Sequence, residues 1–140
     1  MYMDKENLLS EGQAITATAV STNVIDLGAD RDIGPTNLRM RAQVVTEDFA
    51  AGGNGTLKVA LQTSDVENFG SGVVTLHETG AIGKADLTNG KVITDIAIPL
   101  GTKRYLRANY TVATGPMTAG AVTTMFVQNS EMRRDYPNAI

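Results

Sequence analysis

The feature that most constrains this chain is a two-residue alternation of apolar and polar side chains, repeated in short runs between turn residues. Successive side chains of a strand point to opposite faces, so such runs suit strands with one buried and one wetted side. Leu38, Met40, Ala42 and Val44 alternate with Arg39, Arg41 and Gln43. Leu57, Val59 and Leu61 alternate with Lys58, Ala60 and Gln62, and Leu106, Ala108, Tyr110 and Val112 with Tyr105, Arg107, Asn109 and Thr111. Shorter runs cover Ile15–Val20, Val24–Leu27, Val73–Glu78, Val92–Ile98 and Ala121–Gln128. Thr, Val and Ile supply 37 of the 140 residues, and these β-branched side chains fit a pleated, half-buried surface. No stretch shows the helical crossover of a dozen or more residues that neighbouring parallel strands require. The expected fold is therefore all-β, a jelly roll or antiparallel β-sandwich of about eight strands. The expected organisation is an N-terminal arm over 1–12, the β-domain over 13–129 and a C-terminal arm over 130–140.

The same residues leave little room for chemistry. With no Cys there are no disulfides, thiolates or cysteine-ligated metals, and a single His excludes a multi-histidine metal site. His77 lies in Val74–Glu78 and reads as a solvated or hydrogen-bonded strand residue, since nothing marks a nucleophile or an orienting partner. Gly52–Gly55 leads into a strand, not a helix, so it reads as a hairpin tip and not a phosphate cradle. Asp26, Asp30, Asp32, Glu47, Asp48 and Asp65 lack the spacing of an EF-hand loop. No cofactor and no metal is expected, and no nucleophile elbow or phosphate loop is present.

A net charge of −3 and a pI near 5.0 argue against a nucleic-acid partner. Arg39, Arg41, Arg104 and Arg107, with Lys58 and Lys103 near, read as a solvated or ion-paired strand face. No apolar run approaches 18 residues, so no membrane partner is expected, and the chain reads as soluble and made in the cytoplasm. With only four Tyr, three Phe and no Trp, a stacking platform for sugars or bases has little to build on. A non-enzymatic structural or interaction role is the expectation that remains.

Tyr2, Leu8 and Leu9 near one end, and Arg133, Arg134 and Tyr136 near the other, fall outside the alternating runs. Apolar, aromatic and Arg residues of this kind are enriched at interfaces. They are candidate interface residues, with Arg31, Asp32, Arg39 and Arg41 as further candidates. The other reading is that both arms cap the edges of their own sheets.

Several blocks then run in order along nearly the whole chain. They include Met1-Tyr2-Met3-Asp4-Lys5, Ala14-Ile15-Thr16-Ala17-Thr18-Ala19, Ser21–Gly28, Arg31-Asp32-Ile33-Gly34, Leu61–Asp65 with Phe69, and Ile82–Leu87. The strongest is Gly101-Thr102-Lys103-Arg104-Tyr105-Leu106-Arg107, continuing through Asn109–Val112 to Thr118–Gly120, and the chain closes on Tyr136-Pro137-Asn138-Ala139-Ile140. In these blocks the chain resembles the capsid cement, or decoration, proteins of short-tailed phages, of the kind known from a Bordetella phage. The resemblance implies a jelly-roll virion protein on the outer surface of the phage head that staples neighbouring major capsid protein subunits. It also implies self-association, as a dimer before a trimer. A virion-surface module binding carbohydrate or another ligand is the alternative, and a cupin-type enzyme would need several His ligands.

Overall fold

The computed structural model describes residues 7–29 and 38–128. Among them are ten strands: β1 (Leu8–Ala14), β2 (Ala19–Val20), β3 (Ile25–Asp26), β4 (Leu38–Ala51), β5 (Thr56–Ser64), β6 (Val74–Glu78), β7 (Ile82–Gly83), β8 (Val92–Ala97), β9 (Tyr105–Ala113) and β10 (Met117–Gln128). They form two antiparallel sheets packed as a sandwich, and the fold is all-β as the alternation requires. Sheet I has the order β1-β10-β4-β8. In sheet II, β9 pairs with β2, β3 and β5, and β5 pairs onward with β6 and β7.

The apolar half of each alternating run faces the other sheet. Leu9, Met40, Val44, Val122 and Phe126 enter the core from sheet I, and Leu57, Val59, Leu61, Leu106 and Tyr110 enter it from sheet II. Tyr110 is completely buried, so its hydroxyl needs partners inside the fold. It finds them across the sandwich, at 2.6 Å from Ser10 Oγ on β1 and 2.7 Å from Thr124 Oγ1 on β10. Burial raises the Tyr110 pKa, and these two bonds oppose the rise. At one rim, His77 Nε2 on β6 lies 3.2 Å from Thr94 Oγ1 on β8, a second polar link between the sheets.

The strand boundaries differ from the expected ones in three places, each for a physical reason. The run expected as an arm over 1–12 is a strand from Leu8 onward, because Leu9 is fully buried in the core and Leu8 pairs with Met125. Leu8 and Leu9 therefore belong to the domain. Ile15–Val20 forms a ladder only at Ala19–Val20, since Ile15 is the one buried side chain of that run and Thr16–Thr18 are exposed. The third difference is length: β4 continues to Ala51 and β10 begins at Met117.

The pattern is unreadable in these extensions because the ladder is irregular. Register shifts fall between Met117 and Ala119 and between Ala119 and Ala121. Thr46 has a left-handed φ of 73°, and Gly120 adopts φ 133° with its Cα facing the Phe49 ring, where any Cβ would collide. Tyr2, Arg31, Asp32, Arg133, Arg134 and Tyr136, with the C-terminal arm, lie outside the described residues. No helix among the described residues is long and apolar enough to cross a membrane.

Candidate interaction faces

Because Val122, Thr124 and Phe126 point inward, Ala121, Thr123, Met125 and Val127 point to the outer face of sheet I. The register sets Leu8, Met125, Arg41 and Asp95 in one row across all four strands. Val127, Arg39 and Ala97 form the neighbouring row. Leu8, Met125 and Val127 make a small apolar cluster separate from the main core. Beside it, Arg39 Nε lies 2.7 Å from Asp95 Oδ1 and its Nη2 donates to the Asp95 carbonyl oxygen at 2.7 Å. Arg41 Nη1 approaches the other carboxylate oxygen at 3.8 Å, and its buried Nε has no hydrogen-bond partner. Two guanidiniums thus share one carboxylate, and all three side chains are about three-quarters covered, with exposures of 25%, 27% and 23%.

The outer face of sheet II is built differently. Leu106, Ala108 and Tyr110 face the core, so Tyr105, Arg107, Asn109 and Thr111 face out. Gln62 stands directly across from Arg107, and Arg107 Nε donates to Gln62 Oε1 at 2.9 Å. The guanidinium carbon sits 4.3 Å from the centroid of the Phe69 ring, in cation–π contact. Phe69 comes from the β5–β6 connection and holds a left-handed φ of 55°, a conformation costing a bulky residue about 1–3 kcal/mol.

Several bonds hold that connection in place. Phe69 N donates to Val66 O at 3.0 Å, Gly70 N to Asn68 Oδ1 at 2.8 Å, and Ser64 Oγ to Ser71 O at 2.8 Å. Lys103 closes it from the β8–β9 loop, donating to Gly72 O at 3.1 Å and pairing with Asp65 at 3.6 Å. At the β3 edge, Arg104 pairs with Asp26 at 2.9 Å and lies 5.0 Å from the Tyr105 centroid. The Arg104 bond, then the Gly28 amide, hold the Asp26 carboxyl below its ordinary pKa. Burial lowers the Arg107 pKa, although an arginine stays charged at neutral pH.

Of the sequence-nominated residues within the described chain, Leu8, Arg39 and Arg41 come together on the outer face of sheet I, and Leu9 turns inward to the core. Asp95 completes that group and was not among the candidates, because its pairing with β4 is long-range and leaves no local signal. Phe69 was also missed as a partner of Arg107. Phe69 and Arg107 lie in the blocks that carry the family resemblance, which was the available clue to their contact, whereas Asp95 lies outside them. Among the described residues, no three His, Cys, Asp or Glu side chains cluster as a metal site. Residues 9–126 match the family model Bbp16. No curated protein matches the chain.

Proposed function

The chain belongs to the Bbp16 family, a name pointing to a Bordetella phage protein, and from that premise we propose that it is a structural virion protein. It binds the outer surface of the phage head and bridges neighbouring major capsid protein subunits. The observation that supports this reading best is where the chemistry-bearing side chains are spent. Tyr110 and His77 tie one sheet to the other, and Arg39, Arg41 and Asp95 tie β4 to β8. What remains outward is chiefly the stiff face of sheet II, since Leu8, Ala121, Thr123, Met125 and Val127 on the outer side of sheet I are themselves buried, and such a face suits docking and load transfer. On this reading the chain is not an enzyme, needs no cofactor, and associates with itself as a dimer.

Many copies on one shell act through effective concentration, since each attached subunit site raises the local concentration of the next. Modest single interfaces therefore suffice, in keeping with a chain that has few aromatic anchors. The test is co-sedimentation of the purified protein with empty heads, followed by heating of bare and decorated heads. Binding with a raised disruption temperature is the expected result, and failure to bind expanded and unexpanded heads alike overturns the reading. His77→Ala is expected to bind heads like the wild type, with stability lowered by about 1 kcal/mol through loss of the Thr94 bond.

A further inference from the structure

The arginines of the described chain differ in one respect. Arg39, Arg41 and Arg104 each have a carboxylate within 4.0 Å, whereas Arg107 has none among the described residues. Its charge is nonetheless carefully placed. Phe69 covers one face of the guanidinium plane, Gln62 takes Nε, and no hydrogen bond engages the two terminal nitrogens among the described residues. A guanidinium held flat with its terminal N–H groups free matches the two oxygens of a carboxylate in a bidentate fork. Because its rotamer is already fixed, docking an acid there loses little side-chain entropy.

The surroundings leave that charge uncompensated. Asn109, Thr111 and Tyr105 flank Arg107 on β9 and Lys58 lies on the adjacent strand. The acids of this face, Glu78 in register with Ala60 and Asp26 in register with Tyr105, form no ion pair with Arg107, and Asp26 is taken by Arg104. The strained φ of Phe69 points the same way, because backbone strain persists where surrounding structure enforces a particular placement. Here the enforced placement is the ring beneath Arg107.

We infer that Arg107, backed by Phe69 and steered by Gln62, is the anchor on sheet II for an acidic side chain of the protein on which this domain docks. The identity of that protein as the phage head rests on the function proposed above; the chemistry of the contact rests on the geometry of Arg107 itself.

The test is binding to empty heads at graded salt by the full chain and by single variants. Arg107→Gln is expected to weaken binding about tenfold or more and to flatten its salt dependence, with a melting temperature near that of the wild type. Arg107→Lys keeps the charge without the fork and is expected to recover only part of the loss. Lys58→Gln removes one charge from the same face and is expected to change binding less than about twofold. Amidating the head's surface carboxylates with a carbodiimide and a small amine should make wild type and Arg107→Gln bind alike.

Wild-type protein that binds heads equally well with Arg107→Gln overturns the inference and leaves the head-binding reading standing. Equal losses for Lys58→Gln and Arg107→Gln also overturn it, since the effect is then general charge and not an anchor. A difference that survives amidation shows that the anion is not a carboxylate, a phosphate group included, and overturns it too. A wild type that never binds heads overturns both readings together.

Discussion

The two outer faces of the sandwich use arginine in opposite ways. On sheet I, Arg39 and Arg41 converge on Asp95 and the group is largely shielded, so the charges are spent within the fold. On sheet II, Arg107 stands without a carboxylate partner among the described residues, over a ring that a strained turn holds in place. The first arrangement registers β4 against β8. The second ties Arg107 only to a neutral side chain, Gln62, its ladder partner on β5, and leaves its charge unpaired among the described residues. An ionic group that is closed on itself serves stability, and one left open serves a partner.

The sharpest way to break this contrast is to remove the shared acid of sheet I. Asp95→Ala leaves two part-covered guanidiniums without a counter-charge, and the expected loss is about 2 kcal/mol by chemical denaturation. Head binding by the folded protein should stay unchanged; loss of binding with stability intact would make sheet I the docking face. A smaller effect of opposite sign is expected for Arg41→Met. Asp95 keeps its close bond to Arg39, the partnerless Arg41 Nε disappears, and apolar contact extends from Met125, so stability holds or rises by up to about 1 kcal/mol.

The smallest effect concerns the exposed pair on sheet II. The Asp26 pKa is lower folded than unfolded, so its contribution is present above about pH 4 and is lost as pH falls through the folded value. Exposed and screened by solvent, the pair should shift the acid limb of a melting profile only slightly. An Asp26 carboxyl that titrates at its ordinary value by NMR would show that the Arg104 bond does not persist in solution.

The strands with large apolar residues on one side were legible in the sequence. Leu57–Leu61 and Leu106–Val112 appear in sheet II with the expected faces inward, because Leu, Val and Tyr report burial strongly at period two. Thr16–Thr18 misled because Ala and Thr alternate without a large difference in hydropathy, and no ladder forms there. Leu8 and Leu9 misled for another reason. Adjacent apolar residues break alternation, yet each is used, Leu9 in the core and Leu8 beside Met125 on the outer side. Arg39 and Arg41 could be placed on a polar face, but their convergence on Asp95 joins positions more than fifty residues apart. The stacking of Arg107 on Phe69 depends on a left-handed turn that no residue type announces, since Phe at positive φ runs against its own preference.

The strand order of sheet I also dictates when the protein can fold. Its centre is β10, the last described strand to leave the ribosome, which must enter between β1 and β4 with Leu8 opposite Met125. Sheet II can zip earlier, because β5 and β9 are both made before β10 begins. During synthesis the nascent chain therefore carries β1 and β4 as open edges, with Leu9, Met40 and Val44 uncovered. Closure over so long a sequence separation is slow, so until β10 arrives these edges stay open to mispairing with other chains.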